Sequence, residues 1–132
     1  MAVQVKLYRV ILPVTDIDAA ARFYGDVLGG AGERVSSGRH YFDCGGTVLA
    51  LYDPVADGDS LAEGWRHHFH QYIYFAVSDL EALYGRIKAS DAEIESEIDS
   101  KPWGERIFYA KEPFDNPIAF VDEGTVFVGA AR

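Results

Sequence analysis

The chain has 132 residues, 48% hydrophobic and 25% charged, a balance that fits one globular domain or two small halves sharing a core and excludes a disordered segment. Its formal net charge of -9 disfavours nucleic acid and anionic membranes as partners, because both need Lys or Arg to neutralise them; it is compatible with a cationic ligand and, more plainly, with solubility. No apolar run approaches the roughly 18 residues of a membrane helix, the opening MAVQVKLYRVILPV reads as a strand rather than a secretory leader, and Cys44, the only cysteine, can close no intrachain disulfide, so a cytoplasmic setting is expected.

Residues 4–14 are rich in β-branched and aromatic side chains and are expected to form a strand. Asp16 is the expected N-cap of a helix in which Ala19, Ala20, Phe23, Tyr24, Val27 and Leu28 recur at helical spacing, stopped by Gly29-Gly30. Three short strands follow at 33–37, 39–44 and 47–52, punctuated by Gly38 and Gly45-Gly46. Residues 53–66, polar and rich in turn formers, read as a loop joining two modules, about 4–55 and about 67–128. The second module repeats the order: a strand at 69–77, a helix capped by Ser78 and running to about Ala89, a strand at 92–98, another within PWGERIFYAKEPF, a turn at Asp115-Asn116-Pro117, and a last strand in IAFVD that TVFVG extends or follows. Val14-Thr15-Asp16-Ile17 recurs as Val77-Ser78-Asp79-Leu80, an offset of 77 - 14 = 63 residues. Such a repeat points to duplication, the second copy supplying burial that one copy of about 60 residues would lack.

This βαβββ duplication opens with Val14-Thr15-Asp16-Ile17, then Arg22-Phe23-Tyr24 and Val27-Leu28-Gly29, and ends in KPWGERIFYAKEPFDNPIAFVDEG from Lys101. It resembles the vicinal oxygen chelate superfamily of glyoxalases, extradiol dioxygenases, thiol-transferring resistance enzymes and bleomycin-resistance proteins. The resemblance covers most of the chain; Asp115 stands where the family's ending usually has Gly. It implies an α+β fold in which curved mixed sheets surround a cup. It does not name a reaction.

In the family's metal enzymes, ligands point into the cup from the first and last strands of each half. Those positions fall here on Arg9, Ala50, Tyr72 and Ala119, none of which supplies a usual ligand, so the expectation is no metal and no cofactor. His68 and His70 in HHFH share a strand face and would hold a metal only with a third ligand such as His40 or Glu105; the plainer reading is a solvated strand mouth.

Alternation sends Arg9, Ile11, Tyr72, Tyr74 and Ala76 to the cup, with Val48, Ala50, Tyr52, Ala119 and Val121, while Val10, Leu12, Val14, Ile73, Phe75, Leu49, Leu51, Ile118 and Phe120 face the helices. The resulting aromatic, apolar cup with one fixed positive charge suits an organic molecule, its expected boundary being Arg9, Tyr52, Tyr72, Tyr74 and Trp103. Trp103 lies in PWGER, which resembles the ligand-lining segment of metal-free bleomycin-resistance proteins; core or dimer packing is its alternative. Arg9 meets either a ligand carboxylate or an internal one, Glu33, Glu105 or Asp43. Tyr72 beside Arg9 would have a lowered pKa. Arg106 is expected to pair with a Glu, Trp65 to pack in the linker, and Cys44 to be an unreactive strand residue. Three functions follow: a cytoplasmic homodimer holding a small organic molecule without metal, with a resistance or sequestration role; an enzyme of the superfamily (lyase, isomerase or dioxygenase) with a displaced metal site; or a structural or regulatory dimer whose cup its own side chains fill.

Overall fold

The computed structural model describes residues 3–59 and 71–129 of the chain. Two compact units divide it, Met1–Trp65 and Arg66–Arg132, each a helix packed on a mixed sheet, an α+β architecture.

In the first unit the elements are β1 (Arg9–Pro13), α1 (Ile17–Leu28), β2 (Glu33–Ser36), β3 (Arg39–Cys44) and β4 (Thr47–Tyr52), in sheet order β1-β4-β3-β2. β1 runs parallel to β4 and the other pairs are antiparallel. Asp16 starts α1 as expected: its carboxylate accepts the Ala19 amide at 3.1 Å, and Gly29, at φ 79°, closes the helix in the left-handed region that glycine enters without penalty. Ile17, Ala20, Phe23, Tyr24 and Val27 form the buried stripe of α1, which lies over β4 and β3 against Leu49, Leu51 and Phe42.

The first strand is shorter than the expected 4–14. Val3, Val5 and Leu7 alternate as a strand would but stay exposed. Pairing needs a neighbour, and β4 begins only at Thr47, after the chain turns at Gly45 and Gly46. The last contacts before Arg9 are Val48 N–H to the Tyr8 carbonyl (2.9 Å) and the Thr47 hydroxyl to the Leu7 carbonyl (3.0 Å).

The second unit comprises β5 (Ile73–Val77), α2 (Leu80–Lys88), β6 (Glu93–Ile94), β7 (Asp99–Ser100), β8 (Arg106–Lys111) and β9 (Pro117–Asp122), in the order β5-β9-β8 with β6 and β7 both on β8. Again the outer first strand, β5, is parallel to its neighbour, β9. Phe75 stacks on Phe120 and Phe120 on Phe108, at 5.4 and 5.2 Å, while Tyr84 of α2 meets Phe108 edge-on at 5.0 Å. Leu80, Leu83 and Ile87 complete the helix side of this core.

Three local expectations change here, and the alternative left open for TVFVG is decided. The cap of α2 is Asp79, not Ser78: its carboxylate accepts the Ala82 amide at 3.0 Å, at the same offset of 63 residues from Asp16. Of the strand expected at 92–98 only Glu93–Ile94 forms, with a second short piece beyond it at Asp99–Ser100, because Ser96 turns its hydroxyl to the Tyr109 amide (2.9 Å) while the Tyr109 carbonyl takes both the Glu95 and Ser96 amides. PWGER is a turn rather than strand, closed by Lys101 N–H to the Glu105 carbonyl (2.8 Å), and β8 starts only at Arg106. TVFVG does not extend the sheet. Asp122 accepts the Gly124 amide and its carbonyl takes the Thr125 hydroxyl, winding Glu123–Thr125 into a 3-10 turn.

The β8–β9 connection explains the departure at Asp115. That residue has φ 67°, the left-handed region where glycine is at ease and Asp is tolerated. Buried Glu112 holds the turn, its carboxylate accepting the Phe114 and Asn116 amides at 2.8 and 2.9 Å.

Candidate functional site

Each sheet has one face covered by its helix and one face that is not. Arg9, Ile11, Val48, Ala50 and Tyr52 share the helix-free face of the first sheet with Arg39, Tyr41 and Asp43, as the register Ile11↔Ala50↔Tyr41 requires. On the second sheet, Tyr74↔Ala119↔Tyr109 places these three on the helix-free face, with Ala76, Val121 and Ile107 one step along.

Arg9 is exposed. Its guanidinium lies over the rings of Tyr8 (4.7 Å) and Tyr41 (4.9 Å) and donates to the Tyr8 hydroxyl at 3.0 Å. The internal carboxylates expected as alternatives, Glu33, Glu105 and Asp43, do not take it: among the described residues no carboxylate pairs with Arg9. Alternation in β3 carried the signal for Tyr41, since it pairs with Ala50, and sequence reasoning missed it.

Tyr52 belongs to a separate network. Arg39 stacks on its ring at 4.4 Å and pairs with Asp57 and, at 3.9 Å, with Asp59, whose carboxylate also accepts the Tyr52 hydroxyl. The bond to Asp59, then burial, raises the Tyr52 pKa. Residues 53–59, expected as free loop, are therefore anchored: Asp53 is buried, and the Gly38 amide donates to Asp57 at 2.8 Å. Tyr52 is four residues from Val48, the partner of Arg9, or about 13 Å along the strand.

Tyr72, Tyr74 and Tyr109 meet on the second sheet. Ring centroids are 5.4 Å apart for Tyr72 and Tyr109 and 6.3 Å for each of the other pairs, and Tyr109 meets both partners edge to face. Tyr72 and Tyr109 pack on buried Ile107, Ala119 and Val121. Burial, then hydrogen bonding to Tyr109, pushes the Tyr74 phenol up to about 12. The expected lowering at Tyr72 is reversed: its pKa is raised, by burial first and then by Glu95, whose carboxylate accepts the Tyr72 hydroxyl at 3.4 Å. With a carboxylate and a phenol as neighbours, the phenolate has nothing to stabilise it.

Trp103 sits in the turn between β7 and β8, about half exposed, with Gly104 next to it at φ 101°. Its indole N–H donates to Glu105 at 2.7 Å, and the other oxygen of Glu105 accepts the Phe127 amide at 2.9 Å. Lys101, from the same turn, was not foreseen; its ammonium lies 5.2 Å over the Tyr109 ring. Arg106 pairs with Glu81 and Asp122, both at 3.0 Å, in line with the expected structural role. Burial raises the Cys44 pKa, which leaves the thiol a poor nucleophile.

The residues expected at the metal-ligand positions, taken one by one, do not suit a divalent ion. Ala50 and Ala119 are buried and offer no donor, Arg9 brings a positive charge, and Tyr72 is held as the neutral phenol. His68, His70 and Trp65 lie outside the described residues. Among the described residues no group of three His, Cys, Asp or Glu side chains converges as a metal site, and no helix is long and apolar enough to cross a membrane. A shallow depression of about 510 Å³ along α1, beside Ala21, Arg22 and Gly25, holds none of the candidate residues.

Residues 6–120 match the family model described as Glyoxalase/Bleomycin resistance protein/Dioxygenase superfamily. No curated protein matches the chain. Among solved structures, a glyoxalase-related enzyme from Fulvimarina pelagi superposes with TM-score 0.76 at 21% identity, covering 95% of this chain and 93% of that one. A glyoxalase/bleomycin resistance protein/dioxygenase from Nocardioides gives 0.71 at 22%, covering 100% and 93%. A lactoylglutathione lyase from Agrobacterium tumefaciens gives 0.65 at 24%, covering 89% and 92%. At these identities the similarity establishes the fold alone.

Proposed function

The chain belongs to the glyoxalase/bleomycin resistance protein/dioxygenase superfamily, and we propose that it binds a small organic molecule on its helix-free sheet faces without a metal at Arg9, Ala50, Tyr72 and Ala119. The observation that carries this reading is what stands on those faces. Two buried alanines stand where ligating side chains would project, beside a guanidinium with no carboxylate partner among the described residues on the first sheet and three packed tyrosines on the second. Apolar and aromatic walls with few polar anchors are the composition of ligand sites. On the first sheet Arg9 would orient an acidic or polar group, with Tyr52 a ring already covered by Arg39; on the second, Tyr72, Tyr74 and Trp103 would supply contact area. The reading includes a homodimer in the cytoplasm, with sequestration of the ligand as its role, and no nucleic-acid or membrane partner. Light scattering at micromolar concentration would give twice the chain mass.

A ligand screen by thermal shift, repeated on Arg9→Ala and Trp103→Ala, tests the site. A ligand at 100 times its dissociation constant stabilises by about 2.7 kcal/mol; a hit seated on the first sheet is expected to lose much of that in Arg9→Ala, and one seated on the second in Trp103→Ala. Hits that stabilise both variants as much as the parent would place binding elsewhere. Elemental analysis of protein purified without a chelating tag separates this reading from an enzyme with displaced ligands. Stoichiometric zinc, nickel, iron or manganese, lost on His68→Ala with His70→Ala, would replace binding by metal-dependent catalysis.

A further inference from the structure

We propose that the tyrosine cluster of the second sheet takes an organic cation, and that the side chain of Lys101 occupies the cation's place in the free protein. This rests on the ligand-binding reading of the same face and names the charge class of its ligand.

Three observations lead there. First, Tyr109 stands edge to face with both Tyr72 and Tyr74, at interplanar angles of 78° and 88°. Perpendicular rings cannot stack flat on one another, so faces as well as edges are presented along the sheet, and a ring face carries the negative end of the quadrupole. Second, one of those faces already holds a cation. The Lys101 ammonium is 5.2 Å from the Tyr109 centroid, within the roughly 6 Å range of cation–π attraction. Among the described residues no carboxylate pairs with Lys101, although Glu105 lies in the same turn. An ammonium with a flexible four-carbon stem gives up such a position easily. The turn itself is held by backbone bonds, Lys101 N–H to Glu105 and Gly104 N–H to the Lys101 carbonyl, so the side chain can leave without disturbing it.

Third, the polar groups around the cluster favour positive charge. Glu95 accepts the Tyr72 hydroxyl, and Glu105 lies close enough to act on Tyr74. A phenol that donates to a carboxylate has a more electron-rich ring. Lys111, 4.0 Å from Glu95, balances that carboxylate only loosely. Burial keeps Tyr72 and Tyr74 as neutral phenols, so the attraction comes from the ring faces at any ordinary pH.

The probes are 3-hydroxyphenyltrimethylammonium, its neutral isostere 3-tert-butylphenol, and the anion 3-hydroxybenzenesulfonate. Each is titrated against the full chain and against Lys101→Met, which keeps the apolar stem, with ring resonances of Tyr72, Tyr74 and Tyr109 followed by NMR. The expected result is tighter binding of the cation than of its isostere, and a further gain of about two- to fivefold for the cation in Lys101→Met, the size of an exposed cation–π contact. The isostere, which displaces the same side chain but meets no like charge, should gain less. Tyr109→Leu should weaken the cation by a similar factor. Cation affinity that is unchanged or reduced in Lys101→Met overturns the proposal. So does preferential binding of the anion that Lys101→Met abolishes; in that case the tyrosine resonances still move and the ligand site stands. If no probe moves them, the ligand site fails as well.

Discussion

A single methyl group at Gly38 should unlatch the 53–59 segment from the first unit. A Cβ there would run into the Asp53 carbonyl oxygen and lie 2.8 Å from both the Asp57 amide nitrogen and its Cβ. These neighbours are backbone or locked to it, so they cannot swing aside as a long side chain would. Relief requires moving the segment, which breaks the bonds from Asp53 N–H to the Gly38 carbonyl (2.7 Å) and from Gly38 N–H to Asp57 (2.8 Å). Overpacking costs about 1–3 kcal/mol and each lost bond about 1 kcal/mol. Because moving the segment relieves part of the clash, the sum is about 2–4 kcal/mol for Gly38→Ala. Urea unfolding followed by circular dichroism measures it. Gly85→Ala is the control: it lies exposed within α2 with nothing near a new Cβ, so replacement should stabilise by about 0.5–1 kcal/mol. The consequence reaches a candidate ligand residue, since Asp59 leaves with the segment and the Tyr52 pKa should fall back toward its ordinary value. A cost below about 0.5 kcal/mol at Gly38, within the range of ordinary surface changes, would refute the reasoning.

Asp16→Ala and Asp79→Ala should each cost about 1 kcal/mol by chemical denaturation, as a lost N-cap does, whereas Ser78→Ala should be neutral. In an ultraviolet phenolate titration, Tyr74 should ionise near 12, after an ordinary phenol. Its folded pKa lies above the unfolded value of about 10, so its contribution to stability is intact below about pH 10 and is lost as pH rises toward 12; Tyr74→Phe should remove that part of the alkaline loss. Arg9→Lys keeps the charge but not the planar fork over Tyr8 and Tyr41, so by calorimetry a carboxylate ligand of this face should bind about fivefold more weakly to it than to the parent; equal affinity would mean that charge alone matters.

The facing of side chains was legible because it depends only on alternation along a strand. Arg9 and Ala50, or Tyr74 and Ala119, fall on one face whatever the strand's length, and the parallel pairings of β1 with β4 and β5 with β9 keep them there. The repeat was legible for a similar reason: Asp16 and Asp79 perform the same capping bond three residues ahead. What escaped depends on partners distant in sequence. Val3, Val5 and Leu7 have the pattern of a strand and no strand to pair with. Ser96 interrupts its strand because Tyr109 offers it an amide. Trp103 points where a turn with Gly104 at φ 101° sends it, and alternation says nothing about a turn. A lowered pKa at Tyr72 needs a positive neighbour, whereas burial, Glu95 and Tyr74 all raise it.

Among the described residues three side-chain cations lie on tyrosine rings, and their surroundings separate them. Arg39 over Tyr52 is tied to Asp57, whose side chain is only 8% exposed, and to Asp59. Its charge is spent, and displacing it would leave two carboxylates without their partner. Arg9 over Tyr41 and Lys101 over Tyr109 have no such ties among the described residues. Each holds only a ring, an attraction of about 0.5–1 kcal/mol at an exposed site, which a ligand contact can replace. The difference between them is chemical. A guanidinium is planar, stays charged and can receive a carboxylate while still stacked, so Arg9 is equipped to remain and bind. An ammonium on a flexible stem makes no fork and re-enters water readily, so Lys101 is equipped to leave. On the proposed ligand-binding reading, the two sheets thus carry opposite solutions beside Ala50 and Ala119: a cation retained as an anchor on the first, and a cation whose departure uncovers an electron-rich face on the second.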